Sequence, residues 1–129
     1  KKYLTLDVGG SAIKYALIQE DLKILEKSSV PTPRDTLDNF IETIGKLYDQ
    51  YAVDIEGIAI SMPGIIDPEK GYSYTGGALR YIDKLETVKV LKQRCPVNIT
   101  IGNDAKCAAN AEIGYGHLQD IQDGLNLLE

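Results

Sequence analysis

The hydrophobic pattern of this chain changes from strand spacing to helical spacing after residue 30, and that change restricts the folds open to it. Between residues 3 and 30, three short runs, "YLTLDV", "AIKYALI" and "KILEKSSV", predict β-strands, the first by its alternation of apolar and polar residues. A tight Gly-Gly-Ser turn separates the first two runs, which favours an antiparallel hairpin. After the breaker segment "VPTPRD", apolar residues recur at helical spacing, and Thr36 or Asp35 is a suitable N-cap. We therefore expect antiparallel strands followed by a helix.

Beyond that helix, strand and helix patterns alternate. The apolar run "IEGIAIS" predicts a buried strand, residues 62–77 predict a loop with a small hairpin, and residues 82–94 show helical spacing. "PVNITI" predicts the next strand, and residues 105–115 predict the next helix. The order βββ-α-β-α-β-α predicts an α/β domain with a mixed five-stranded sheet, which opens with antiparallel hairpins, continues in parallel and has flanking helices.

Size, charge and cysteine content narrow the class of protein. The 129 residues suit one compact domain, and the net charge of −5 argues against nucleic acid or an anionic membrane as a main partner. No apolar run approaches the roughly 20 residues that span a bilayer, and no signal peptide opens the chain, so we expect a cytoplasmic protein. Cys95 and Cys107 are expected to be reduced and largely buried, and His117 to have no catalytic role. Four acidic residues are expected to form a solvated face: Glu42, Asp49, Asp54 and Glu56.

The segment "LDVGGSAIK", residues 6–14, carries a set of groups that suits phosphate. Asp7 ends a strand, Gly9 and Gly10 allow a tight turn that presents backbone N–H groups, Ser11 adds a hydroxyl and Lys14 a cation. These groups can hold phosphate oxygens, with Asp7 facing a magnesium ion through water. The segment is neither a Walker A loop nor a dinucleotide fingerprint, because both need a helix directly after the glycines. A plain hairpin turn is the alternative.

Two further strand ends carry candidate residues. In "ISMPGIID" the strand turns sharply, and Gly64 permits close approach of a ligand, although an ordinary strand-ending turn explains it as well. In "ITIGNDAKCAANAE", Asn103 and Asp104 stand between a strand and a helix; Asp104 either caps that helix or takes a proton from a bound group. Ligands of α/β sheets bind beyond the carboxyl ends of strands. The coincidence of Asp7, Gly64 and Asp104 at such ends favours a functional site.

Three segments together resemble the ROK family of bacterial sugar kinases and related repressors. They are "YLTLDVGGSAIKYALI", "GIAISMPGIIDPEKG" and "VNITIGNDAKCAANAE", in the family's order and approximate spacing. The resemblance covers essentially the whole chain, and three segments in order are more specific than any one alone. It implies the N-terminal domain of the actin-like ATPase, or ribonuclease H-like, superfamily, which agrees with the element order above.

The resemblance also implies roles for single residues. The family's first phosphate motif, for ATP with Mg²⁺, matches Asp7, Gly9, Gly10, Ser11 and Lys14, with Asp7 toward the metal and Ser11 where many members have Thr. On the sugar side, Asn103 matches a contact to a sugar hydroxyl, Asp104 the catalytic base and Gly64 the edge of the sugar pocket.

One segment departs from the family pattern. Many members have an Asn-Leu-Pro-Gly-Trp-like stretch before the second helix, whereas this chain has "TGGALRYID". One sugar contact is then either missing or supplied by the backbone at Gly76, Gly77 or Ala78. The variation resembles the subgroup that includes the β-glucoside kinases.

As a whole, the resemblance implies ATP-dependent phosphorylation of a hexose or related sugar by a longer protein. Residues 1–129 would be its N-terminal domain; the adenosine-binding motif, further sugar ligands and zinc cluster of the family belong to a second domain. We expect the full-length protein to be a homodimer and the isolated chain to be inactive. The main alternative is the sugar-sensing effector domain of a ROK-type transcriptional repressor. An acetate-kinase-like enzyme is a third candidate, which the Asn103–Asp104 pair disfavours.

Overall fold

The structure is a computed structural model that describes residues 1–21 and 23–104. Eight strands and two helices form in this part of the chain. The strands are β1 Lys2–Val8, β2 Ala12–Gln19, β3 Ile24–Pro31, β4 Ile55–Ser61, β5 Ile66–Asp67, β6 Tyr72–Thr75, β7 Asp83–Leu85 and β8 Asn98–Gly102. The helices are α1 Leu37–Tyr51 and α2 Thr87–Arg94. Strand β4 has the bounds that its apolar run predicts.

The main sheet has five strands in the order β3-β2-β1-β4-β8. The pairs β1–β2 and β2–β3 are antiparallel, whereas β1–β4 and β4–β8 are parallel. Short turns suffice to join antiparallel neighbours, while parallel neighbours need a crossover long enough for a helix, and α1 and α2 lie in those connections. The mixed five-stranded sheet predicted from the sequence is confirmed.

One hydrophobic core joins the central strands, both helices and the loop before β7. Helix α1 begins after Thr36, whose hydroxyl accepts a hydrogen bond from the N–H of Asn39 at 3.1 Å, so this N-cap prediction is confirmed. The apolar stripe of α1 is buried in the core and includes Phe40, Ile44 and Leu47. Burial of this stripe, more than intrinsic propensity, stabilises the helix.

The helix expected over residues 82–94 is wrong in its first part. Asp83 and Leu85 pair with Thr75 and Ser73, which adds β7 to a separate three-stranded sheet in the order β5-β6-β7. Lys84 lies between them at φ 48°, outside the right-handed helical region. The helix therefore starts only at Thr87, because the long-range pairing with β6 overrides the local helical spacing.

Helices α1 and α2 are joined by an ion-pair cluster that the sequence did not suggest. Arg94 of α2 lies between Glu42 and Asp49 of α1, at 3.0 Å from Nε to Glu42 Oε2 and 2.7 Å from Nη2 to Asp49 Oδ2. Gly45 makes room for it, since a Cβ there would lie 2.5 Å from Arg94 Cζ. Glu42 and Asp49 are half-exposed, but they belong to this clamp rather than to a merely solvated face.

Some predictions concern residues outside the described part. These are the helix expected over 105–115, the burial of Cys107 and the role of His117. Cys95 is buried with a free thiol, as expected. Among residues 1–21 and 23–104, no helix is long and apolar enough to cross a membrane.

Candidate functional site

Three candidate segments leave the main sheet at one edge. In the strand register, Asp7 of β1 lies opposite Ser61 of β4, and Ser61 lies opposite Gly102 of β8. Because these strands are parallel, the residues that follow each of them lie at the same end of the sheet. We call this the carboxyl edge. It brings together the turn at residues 9–11, the Pro-Gly turn at residues 63–64 and the pair Asn103–Asp104.

The turn at residues 9–11, here called the GGS turn, is stabilised by a hydrogen bond to the start of β2 and by hydrogen bonds from the segment after β3. The N–H of Gly9 donates to the carbonyl oxygen of Ala12 at 2.9 Å. Thr32, which follows β3 and is 5% exposed, donates its hydroxyl to the carbonyl oxygen of Gly9 at 2.9 Å. The N–H of Thr32 also donates to the carbonyl oxygen of Ser11 at 3.0 Å. Both ends of the turn are thus held by one buried residue.

The remaining amides of the GGS turn suit an anion. Within residues 1–21 and 23–104, no backbone carbonyl accepts a hydrogen bond from the N–H of Gly10 or of Ser11. Ser11 is exposed and Gly10 partly so. Successive N–H groups in a turn form a concave site for negative charge. A phosphate site at this turn stays a prediction, and these two amides are compatible with it.

Asp7 and Lys14 are paired in the register of β1 and β2 just before this turn. Directly opposed residues in an antiparallel pair have their side chains on the same face, so a carboxylate and an ammonium group share one side of the sheet. Both residues are partly buried. The carboxyl edge consequently carries a cation and an anion beside the GGS turn.

The Pro-Gly turn interlocks with the loop at residues 76–78. Gly64 has φ 98°, and a Cβ there would overlap the carbonyl group of Thr75. Gly77 has φ 60°, and its Cβ would lie 3.1 Å from the Cβ of Pro63. A hydrogen bond of 3.1 Å from the N–H of Ile65 to Thr75 Oγ1 adds to this contact. The two candidate sugar-side segments, Gly64 and Gly77, are thus in direct backbone contact.

The same loop reaches the GGS turn. A Cβ built on Gly10 would lie 3.7 Å from the Cβ of Ala78, which is ordinary van der Waals distance. Leu79 and Ile82, both nearly fully buried, anchor the loop in the core. Tyr81 donates its hydroxyl to the carbonyl oxygen of Pro33, the residue after Thr32. The loop therefore spans the space between the Pro-Gly turn and the GGS turn.

Asn103 ties β8 to the Pro-Gly turn. Its Nδ2 donates to the carbonyl oxygen of Gly64 and, at 3.4 Å, to that of Met62. Two carbonyl acceptors identify this atom as the amide nitrogen, because an amide oxygen would be repelled there. The residue is exposed. Asn103 thus has a structural role that the sequence did not indicate.

Asp104 follows directly and is exposed. The helix that it was expected to cap lies outside the described residues, so capping and proton acceptance both stay predictions. Asp104 is the next residue after Asn103, whose side chain bonds to the Pro-Gly turn.

The site has contributors that the sequence analysis missed. Thr32, Thr75 and Tyr81 hold the turns described above through bonds to distant parts of the chain. The partners of Thr32 and Tyr81 lie 23 and 48 residues away, so no local pattern marks them. The sequence analysis included Thr32 only in the breaker segment and Thr75 and Tyr81 only in the segment "TGGALRYID", without a role for any of the three.

The carboxylates at the carboxyl edge limit how a magnesium ion can be held. Among the described residues, no group of three or more His, Cys, Asp or Glu side chains is placed to hold a metal ion. Mg²⁺ does not require such a cage, since it commonly keeps several waters and binds one or two carboxylates together with substrate phosphates. A single carboxylate, Asp7, beside the GGS turn fits this way of binding Mg²⁺.

Comparison with known proteins identifies the family. A family model described as "ROK family" matches residues 3–127. A curated relative, the β-glucoside kinase of Listeria innocua, is 32% identical over 126 residues, which are 98% of this chain and 42% of the relative. The chain thus spans about two fifths of the length of the curated relatives it matches.

Solved structures agree. A ROK family protein from Streptococcus pneumoniae in complex with sucrose is 30% identical with a TM-score of 0.71, covering 88% of this chain and 38% of that one. Two more distant structures show the shared fold alone. A glucokinase from Streptomyces griseus in complex with glucose and AMPPNP has 22% identity, a TM-score of 0.72 and coverages of 90% and 38%. A ROK family transcriptional regulator, homologous to the E. coli MLC protein, has 21% identity, a TM-score of 0.70 and coverages of 92% and 32%.

These likenesses confirm the actin-like fold predicted from the sequence. The family match spans all three segments that meet at the carboxyl edge. The chain belongs to the ROK family.

Proposed function

We propose that the protein containing this chain transfers a phosphoryl group from ATP to a hexose or related sugar, and that this chain supplies the half of the site with the catalytic base. The observation that carries the proposal is the meeting of the GGS turn, the Pro-Gly turn and Asn103–Asp104 at the carboxyl edge. The β-glucoside kinase relative supports sugar as the acceptor class. Phosphoryl transfer needs mainly positioning and charge stabilisation, which such an edge can supply.

On the donor side, the N–H groups of Gly10 and Ser11 bind the phosphate oxygens of ATP, and Gly9 gives the turn its shape. Lys14 contributes positive charge on the face that it shares with Asp7. Asp7 would hold Mg²⁺ through water, and that ion neutralises charge on the phosphates when bound. The AMPPNP-bound glucokinase of the same fold supports ATP as the donor.

On the acceptor side, the sugar lies against the Pro-Gly turn at Gly64 and the backbone at Gly77, with Asn103 contacting one hydroxyl. Asp104 accepts the proton of the hydroxyl that attacks the phosphorus. A base within hydrogen-bond reach typically contributes about 100- to 10,000-fold to the rate. The backbone contact between Gly64 and Gly77 supports a single, rigid wall for this subsite.

The wider organisation is part of the same proposal. Residues 1–129 act as the N-terminal domain of a longer cytoplasmic protein that works as a homodimer. A second domain binds the adenosine of ATP and holds the zinc cluster of the family. Closure of the two domains over the carboxyl edge would exclude water and limit ATP hydrolysis.

A second candidate function is that of a sugar-sensing effector domain in a transcriptional repressor. The fold that this chain shares with a ROK family transcriptional regulator supports it. In that case the Pro-Gly turn and Asn103 would still bind a sugar, whereas Asp104 would only ligate it or cap a helix.

The test is ATP-dependent phosphorylation of a panel of hexoses, amino sugars and β-glucosides by the full-length protein and its Asp104→Asn variant. We expect the wild type to phosphorylate at least one sugar and the variant to lose at least 100-fold in kcat while still binding that sugar. Asp54→Asn is the matched control, since Asp54 is exposed and precedes β4 at the opposite edge of the sheet. Saturable sugar binding without turnover in the wild type would favour the sensor, and full activity in Asp104→Asn would reject its role as base.

A further inference from the structure

One buried residue, Thr32, bonds to both ends of the GGS turn. Its hydroxyl and its N–H reach the carbonyl oxygens of Gly9 and Ser11 at 2.9 and 3.0 Å. Thr32 itself is fixed, because it follows β3 directly and because Tyr81 donates a hydrogen bond to the next carbonyl, that of Pro33. The turn is thus held by a segment that belongs to neither β1 nor β2.

Peptide geometry converts this contact into a direction for an amide. The carbonyl of Gly9 and the N–H of Gly10 belong to one planar trans peptide, so they point in opposite directions. With the Gly9 oxygen held on Thr32 Oγ1, the Gly10 N–H must point away from Thr32. Within the described residues, no backbone carbonyl accepts a hydrogen bond from this N–H.

The flanking glycines make the external bond necessary. The two torsions that rotate the Gly9–Gly10 peptide belong to residues without Cβ atoms, so local sterics do little to prevent a flip. A flipped peptide would turn the Gly9 oxygen to the side where the Gly10 N–H now lies. That oxygen would repel a phosphate instead of binding it.

We propose that Thr32 is a positioning residue for the donor phosphate: its hydroxyl holds the Gly9–Gly10 peptide with the Gly10 N–H toward the anion. This inference rests on the proposed kinase function in so far as the anion is a phosphate of ATP. The orientation of the peptide itself does not depend on that function.

The kinetic test compares three variants of the full-length protein. Thr32→Val removes the hydroxyl and keeps the shape, whereas Thr32→Ser keeps the hydroxyl. Thr5→Val is the matched control, since Thr5 is also buried and donates its hydroxyl to a carbonyl oxygen, that of Ala16 at 3.3 Å, but within the β1–β2 ladder. We expect Thr32→Val to raise KM for ATP about 5- to 10-fold and to leave KM for the sugar within about 2-fold. Thr32→Ser should restore most of the ATP affinity, and Thr5→Val should change only the melting temperature.

Two kinetic results would overturn the proposal and leave Thr32 with a structural role only. One is an equal change of KM for ATP and KM for the sugar in Thr32→Val, and the other is a change of KM for ATP no larger than that in Thr5→Val.

A second measurement keeps the test independent of kinase activity. With ¹⁵N-glycine labelling, the Gly10 amide should give one sharp resonance in the wild type and in Thr32→Ser, and a broadened or doubled one in Thr32→Val. An unchanged Gly10 resonance in Thr32→Val overturns the proposal even if the protein phosphorylates nothing, whereas an inactive wild type with a doubled Gly10 resonance in that variant rejects only the kinase function.

Discussion

The side-chain amide of Asn103 donates a hydrogen bond to the carbonyl oxygen of Gly64, 39 residues earlier in the chain. Asn103 follows β8 and Gly64 follows β4, so the bond joins the segments after these two strands, which form the sugar side of the carboxyl edge. Any change in the donor should therefore disturb the Pro-Gly turn.

Replacing Asn103 by Asp should separate the effect of its hydrogen bond to Gly64 from the effect of its size. The shape is unchanged, but a carboxylate oxygen would face the carbonyls of Gly64 and Met62 instead of an N–H donor. We expect a loss of about 1–3 kcal/mol in the free energy of unfolding, measured by urea denaturation. Asn98→Asp is the control, because Asn98 is exposed at the start of β8. Equal stability of the two variants would show that the bond to Gly64 contributes nothing.

Alanine at Gly64 should be more damaging than alanine at Gly77. At Gly64 the φ of 98° is unfavourable for any residue with a Cβ, and that Cβ would overlap the backbone of Thr75. At Gly77 the φ of 60° is in the left-handed region, which costs about 1–2 kcal/mol, and the contact with Pro63 is looser. We expect roughly 3 kcal/mol or more for Gly64→Ala against about 1–2 kcal/mol for Gly77→Ala, both from urea denaturation. The reverse order would contradict the interlocked geometry.

The Arg94 clamp should make stability depend on pH in the acid range. Hydrogen bonds from the Arg94 guanidinium hold the pKa values of the Glu42 and Asp49 carboxyls below their usual range. In the unfolded chain such carboxyls titrate near pH 4. The clamp therefore stabilises the fold above about pH 5, and this contribution is lost as the pH falls through the lowered pKa values.

Urea denaturation of the wild type and Arg94→Met between pH 7 and pH 3 measures that contribution. The wild type should be the more stable at pH 7, and the difference should shrink toward pH 3. Lys92→Met, an exposed change in the same helix, should show no such trend. A difference that is the same at both ends of the range would mean that Arg94 acts through packing on Gly45 rather than through charge.

The thiol of Cys95 should be unreactive in the folded protein. Its side chain is fully buried, and burial raises the pKa of the thiol to about 11, so almost no thiolate exists at pH 8. Iodoacetamide at pH 8 should leave Cys95 unmodified in the native protein and alkylate it in urea, as followed by peptide mass spectrometry. Native alkylation as fast as in urea would contradict the buried position.

Much of the fold follows from local patterns. The bounds of β4, Ile55–Ser61, follow from a continuous apolar run, and the start of α1 follows from Thr36 as a cap before a helical stripe. Strand β7 does not follow from a local pattern. The spacing of residues 82–94 favours a helix, but Asp83 and Leu85 pair with β6. A local pattern states what a segment prefers alone, and a long-range ladder can override that preference.

The sequence by itself determined which residues are candidates for the site and the order of the main-sheet strands that carry them. Motif residues such as Asp7, Gly10, Gly64 and Asp104 are recognisable because their chemistry and their position after a strand are local properties. Only the tertiary structure decided that Asn103 bonds to Gly64, that Ala78 lies against Gly10 and that Thr32 bonds to both ends of the GGS turn. These contacts join residues that are far apart along the chain, and their geometry exists only after the sheet has brought the strand ends together.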